Sequence, residues 1–133
     1  MASKYDVAWV AKWQGVINAQ AITPVIGKKF TCKMLVGFGD QEFVLDIREG
    51  RVVNVEQGLT AESVFDFALR APVSTWDQFT QDPPPPYFND IWAMRSPLCH
   101  PTKEERMVVE GDTIVVWQHN RSIDRILDMT RKV

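Results

Sequence analysis

Hydrophobic positions change period several times along this chain, and each change predicts an element. From Asp6 to about Ala19, Trp9, Trp13 and Ile17 recur at helical spacing. With Val10 and Val16 they form one broad apolar stripe, which predicts an amphipathic helix. Gly15 weakens that helix, since a glycine inside a helix costs about 1 kcal/mol relative to Ala, and Thr23-Pro24 argues against its continuation. Lys29 to Phe38 then alternates. Phe30, Cys32, Met34, Val36 and Phe38 share one parity and predict the covered face of a strand. Gly37-Phe38-Gly39-Asp40 offers glycines for a hairpin connection. Gln41 to Arg48 opposes Phe43, Leu45 and Ile47 to Val44, Asp46 and Arg48. After a tight turn at Glu49-Gly50, Arg51 to Gln57 makes a third strand, so an antiparallel meander is expected.

Glu62 to Arg70 fits two patterns. Phe65, Phe67 and Leu69 alternate with Asp66 and Ala68, whereas Val64, Phe67, Ala68 and Ala71 fit a helix that Thr60 could cap. A strand is the better fit, because three large residues then share one face. Ser74-Thr75-Trp76-Asp77 resembles a capping box with Asp at its last position, and opens a short helix carrying Trp76 and Phe79. The prolines Pro83 through Pro86 end it and predict a rigid polyproline II spacer, too short to favour docking of an SH3-like partner. Phe88, Ile91 and Trp92 place a short helix within Tyr87–Arg95, a lid over the sheet. Ser96 to Pro101 is expected to be a loop. Thr102 and Glu105 have capping-box spacing and lead into Met107-Val108-Val109; Glu110-Gly111-Asp112 is a break, with Asp112 placed to cap the next segment. Thr113 to His119 is open between strand, by its β-branched and aromatic content, and helix. Ser122 to Arg131 is helical, with Ile123, Ile126, Leu127 and Thr130 inward. No repeat or flexible linker divides the chain, so residues 1–133 are expected to form a single domain.

Composition sharpens the picture at one point. Five Trp and seven Phe accompany only two Tyr, so the interior is built from bulky pieces that either fill one another or surround something. A net charge of −2 does not favour nucleic acid, and the basic residues near the C-terminus (Arg121, Arg125, Arg131, Lys132) are interleaved with Asp124 and Asp128. With no signal-like leader and no apolar run of spanning length, a cytoplasmic protein without integral membrane insertion is expected. The isolated thiols Cys32 and Cys99 suit a reducing compartment.

Catalytic patterns are scarce. His100 and His119 belong to no HExxH arrangement, and no CxxC is present, so neither a metal site nor a cofactor is expected. Adjacency of Cys99 and His100 does not make a dyad. Gly37-Phe38-Gly39 lacks GxGxxG spacing and a following helix. Asp66, between Phe65 and Phe67, is either a buried acid with a raised pKa or, as is commoner, a marker of a strand's solvent face. The aromatic set Trp13, Phe65, Phe67, Trp76, Phe79, Phe88, Trp92 and Trp117 is the remaining signal, and would line a pocket if its elements converge.

The order of segments resembles the sterol carrier protein-2 (SCP-2) family. The resemblance rests on the N-terminal helix, the meander KFTCKMLVGFGDQEFVLDIREGRVVNVEQG (Lys29–Gly58) and the passage ESVFDFALRAPVSTWDQFTQ (Glu62–Gln81). It continues through the short helix at Tyr87–Met94 and VVEGDTIVVWQHNRSIDRILDMTRK (Val108–Lys132), where Gly111-Asp112 precedes helical structure. The resemblance implies an α+β, SCP-2-like fold: a largely antiparallel sheet of about five strands covered by helices, with a hydrophobic cavity between the layers. It implies binding or transfer of a fatty acyl chain, acyl-CoA, sterol or steroid-like molecule, favours helix at Thr113–His119, and brings no universal catalytic residue. The chain departs from peroxisomal members by ending Arg-Lys-Val in place of a Ser-Lys-Leu-type address, and by its proline tract and Trp-rich middle. Two alternatives stand beside the carrier: an isomerase, dehydratase or lyase of cone-like α+β fold using Asp66, His100 or His119, and an accessory subunit docking through exposed aromatics, as a homodimer or on a partner enzyme.

Overall fold

The computed structural model describes residues 5–20, 28–57, 65–81, 84–86, 88, 91–96 and 102–133. Helix α1 (Val7–Ala19) begins at Asp6, whose carboxylate accepts the Trp9 N–H at 2.9 Å, so one orphan amide of the first turn is satisfied. Three strands follow as β1 (Cys32–Phe38), β2 (Gln41–Arg48) and β3 (Arg51–Gln57). They form the expected meander, antiparallel throughout, with Phe38 opposite Gln41 and Arg48 opposite Arg51. Gly39 takes φ +64° in the first turn, a conformation that glycine adopts without steric cost.

Strand β4 (Phe67–Ala71) crosses over to pair in parallel with β1, Met34 opposite Phe67 and Phe38 opposite Ala71. β5 (Val108–Gly111) pairs antiparallel with β4 on the outer side. The five-stranded sheet therefore runs β3-β2-β1-β4-β5, an α+β arrangement with one parallel pairing.

Between β4 and β5 lie α2 (Val73–Phe79), α3 (Ile91–Arg95) and a 3-10 turn at Lys103–Glu105. After β5 come α4 (Thr113–Gln118), α5 (Asn120–Asp128) and a closing 3-10 turn at Met129–Lys132. The segment with conflicting signals, Thr113–His119, is thus helical up to its cap. Its carboxylate Asp112 Oδ1 accepts from the Ile114 and Val115 amides at 3.2 and 3.4 Å, and this cap outweighs the modest β preference of Ile and Val. The box expected at Ser74 is not used: Pro72 occupies the N-cap position of α2, and Ser74 Oγ instead reaches the Glu105 carboxylate at 3.0 Å.

The helices share one core with one sheet face. Met34, Val36, Phe38, Phe43, Leu45, Phe67 and Leu69 point into it, and meet Val10, Trp13 and Ile17 of α1 and Ile123, Ile126 and Leu127 of α5. The inner stripe of the last helix is as expected, Thr130 included; its hydroxyl donates to the Leu127 carbonyl at 2.6 Å. On the opposite sheet face a small cluster of Leu35, Val44 and Ala68 is flanked by Phe65. The alternation that put Phe65 beside Phe67 and Leu69 breaks at Asp66. That residue precedes the strand and exchanges bonds with Lys33, its amide donating to the Lys33 carbonyl (2.8 Å) and its carboxylate accepting the Lys33 N–H (2.7 Å). The expected stop at Thr23-Pro24, the start of the strand at Glu62, the Ser96–Pro101 loop beyond Ser96, Pro83, Tyr87, Cys99 and His100 lie outside the described residues.

Candidate ligand-binding site

Five large aromatics pack around Phe38. Its ring stacks on Tyr5 at 4.6 Å and 11°. It meets Trp9, Trp13, Phe43 and Trp76 at centroid distances of 5.4, 6.1, 6.3 and 4.7 Å. The indole N–H groups, which are costly to leave unmade when buried, are satisfied. Trp13 Nε1 donates to the Ile126 carbonyl at 2.9 Å and Trp76 Nε1 to the Gly37 carbonyl at 2.8 Å. Trp13, Phe67, Trp76 and Phe79 are 0% accessible and belong to the packed core.

Of the remaining four sequence-predicted positions, Phe88 and Trp92 pack on the rim of this core, and Phe65 and Trp117 lie outside it. Phe65 lies against the far sheet face, with the Arg70 guanidinium 5.9 Å from its ring. Half-buried Phe88 borders a shallow recess of about 280 Å3 with Ser74, Thr75, Gln78 and Glu105. Trp92 and Trp117 stack on each other at 4.3 Å and 19°, and Trp117 is exposed.

An apolar cleft opens elsewhere, between α1 and the outer strands. Its position follows from how α1 is moored. Gln14 Nε2 and Asn18 Nδ2 both donate to the Val52 carbonyl (2.9 and 2.8 Å), and the Val52 amide donates to Asn18 Oδ1 (3.0 Å). The helix thus satisfies backbone groups of an edge strand that would otherwise be open to pairing. Beside these bonds, Val7, Ala11 and Gln14 stand at i, i+4 and i+7 on one flank of α1. They face Val53, Asn54, Val55 and Gln57 of β3 across a cavity of about 310 Å3, with Phe43 of β2 at its inner end. Three carboxamides supply the polar groups, and Gln57 is tied to Gln41 at 3.1 Å. None of the lining side chains is titratable. Pattern reasoning missed these positions because they flank the buried stripe instead of belonging to it. The one legible signal was Val7 and Ala11, apolar residues one turn apart beside Val10.

Several titratable groups outside the cleft have structural partners. The Asp66 side chain is exposed and engaged with Lys33, not set inward. His119 joins α4 to α5, its ring 4.9 Å from that of Phe30. Tyr5 donates to Asp77 Oδ1 at 2.8 Å; burial, then the Asp77 carboxylate, drive its pKa well above the usual range against a lowering contact with Thr80. The buried Cys32 is a free thiol, pushed up to about 12 by burial, with Asp66 and Asp46 adding in the same direction. It is therefore protonated and weakly nucleophilic near neutrality. Among the described residues, no group of three His, Cys, Asp or Glu could hold a metal ion, and no helix is long and apolar enough to cross a membrane.

No protein-family model and no curated protein sequence matches the chain. Solved structures do. It is similar to a crystal structure of sterol carrier protein 2, with a TM-score of 0.74 and 15% identity over 98% of each chain. A Thermus thermophilus protein described as possibly a sterol carrier protein aligns at TM-score 0.66 and 14% identity, over 96% of this chain and 87% of that one. A UbiJ-SCP2 ubiquinone synthesis protein aligns at TM-score 0.54 and 12% identity, over 92% and 88%. The architecture is that of SCP-2-like proteins, as the order of segments implied.

Proposed function

We propose that this chain binds and transfers a hydrophobic small molecule without transforming it, and that the cleft between α1 and β2–β3 is where the ligand enters. The observation that carries this reading is the cleft itself, a mostly apolar concavity with a few convergent polar groups and no charged side chain in its lining. The fold adds support, since its structural neighbours are named for sterol carriage and ubiquinone synthesis. Covering roughly 300 Å2 of apolar ligand surface is worth about 7 kcal/mol before the costs of association. Carboxamides without a cation suit a hydroxyl or carbonyl head group, so a sterol or quinone-like amphiphile fits better than a fatty acid anion or an acyl-CoA. A long ligand would part α1 from the sheet and come against Trp13, with the interior rings Phe67, Trp76 and Phe79 behind it.

Titration with a sterol and with a fatty acid, followed by tryptophan fluorescence, tests the proposal. Saturable quenching is expected with the neutral ligand. Ala11→Trp, on an exposed helix position, should fill the cleft and abolish that signal while leaving the melting temperature unchanged. Equal binding by Ala11→Trp, or loss only on Trp92→Ala with Trp117→Ala, moves the site to the indole stack and overturns the assignment of the cleft. Absence of saturable binding by any neutral amphiphile overturns the function.

A further inference from the structure

Helix α4 spends its apolar residues in two directions. Val116 is buried and Val115 half-buried against the core. Ile114 and Trp117, one turn apart, are 66% and 67% exposed. Trp117 is nevertheless stacked on a partner. Its ring lies on Trp92 at 4.3 Å; Trp92 Nε1 donates to Asn120 Oδ1 at 2.6 Å, and the Arg95 guanidinium stands 5.4 Å from the Trp92 ring. The result is a cluster of one cation and two indoles whose outer apolar surface, on Trp117, is exposed. Arg95 beside it is exposed. Exposed Arg121 shares with Trp117 a recess of about 440 Å3 at the α4–α5 junction, whose lining (with Gln118, His119, Asn120 and Ser122) contains no carboxylate. Among the described residues, Asp112 caps α4, Glu110 is paired with Arg70 at 2.8 Å, and Asp124 is half-buried one turn further along α5.

We propose that this face docks on an anionic lipid surface, with Ile114 and Trp117 entering the interface and Arg95 and Arg121 meeting phosphates. Two features favour lipid over protein. The exposed parts of Ile114 and Trp117 amount to about 300 Å2, a small apolar centre for a stable protein interface, which buries roughly 800 Å2 per partner with somewhat over half of it non-polar. A few aromatic and aliphatic side chains with flanking arginines are, by contrast, enough for peripheral membrane binding. The inference rests on the carrier reading for its purpose, because a hydrophobic cargo is collected from and delivered to a membrane. It does not rest on the cleft. α4 packs over β4 and α1 over β3, and those strands are separated by β2 and β1 in the sheet order.

Co-sedimentation with phosphatidylcholine vesicles, with and without phosphatidylglycerol, tests the docking. Binding should increase with the anionic lipid and weaken with salt, accompanied by a blue shift of tryptophan emission. Ile114→Ser with Trp117→Ser should lower partitioning about tenfold, and Arg95→Gln with Arg121→Gln should remove the salt dependence. Both double variants replace exposed side chains, so unchanged melting temperatures and unchanged sterol titration separate this outcome from failure of the fold or of the carrier reading. Partitioning that ignores the anionic lipid, or that survives the Ile114 and Trp117 replacements, overturns the proposal. A concentration-dependent dimer dissolved by those replacements overturns it in favour of a second copy.

Discussion

Whether the aromatic interior is filled or hollow decides how a ligand can be accommodated, and Phe38→Ala measures it. The ring is 0% accessible and is enclosed by Tyr5, Trp9, Trp13, Phe43 and Trp76. Truncating a buried Phe to Ala costs about 3–5 kcal/mol, the spread depending on how far the surroundings collapse. Collapse is restrained here. Three of the surrounding rings are tied by hydrogen bonds to groups on other elements: Tyr5 to Asp77, Trp13 to Ile126 and Trp76 to Gly37. The expected loss is therefore about 4 kcal/mol, which lowers the melting temperature by roughly 15 °C for a domain of this size. Urea melts of wild type and variant, with equal slopes, give the difference directly. The new cavity is apolar and should accept benzene, as engineered apolar cavities of about 150 Å3 do, so benzene should raise the variant's melting temperature and leave wild type unmoved. A loss under about 1.5 kcal/mol, less than full transfer of one large side chain, would mean the ring already borders open space. The packed core would then be wrong, and the site would belong among the aromatics after all.

Gly111→Ala should destabilise by about 2 kcal/mol or more and speed amide exchange along β5. The residue has φ +91°, and a Cβ there would lie 2.7 Å from the Asp66 carbonyl oxygen and 2.9 Å from Phe67 Cα, both backbone atoms. Gly15→Ala has open space around it and should stabilise α1 by up to about 1 kcal/mol in the same melts. Asp66→Ala removes the acceptor for the Lys33 amide and should cost about 1 kcal/mol while leaving ligand affinity intact; loss of binding or of a turnover activity would restore Asp66 as a chemical group. Cys32 holds its proton more tightly folded than unfolded, about 12 against 9.0. Its contribution to stability is therefore full below pH 9 and is lost as pH rises from there toward about 12. Alkaline melts should fall less steeply for Cys32→Ala, and equal slopes would refute the shift.

The sequence by itself determined most of the elements. Periodicity placed α1, the three strands of the meander and the terminal helix, because an amphipathic element must turn one face to a core whatever lies opposite. Local pattern left Thr113–His119 open between strand and helix, and the family resemblance alone favoured helix there. Three outcomes needed the tertiary structure. The break at Asp66 sends Phe65 to the far face, through bonds to Lys33, a residue 33 positions earlier, which no local pattern encodes. The parallel seat of β4 against β1 is set by packing between distant segments, not by spacing. The site depended on the same kind of information. Large aromatics attract attention in a sequence because of their size, yet size is what lets them fill one another around Phe38. The cleft is built from Val7, Ala11, Gln14 and the β3 edge, ordinary side chains that become a concavity only when the moorings of Gln14 and Asn18 to Val52 set α1 beside the sheet.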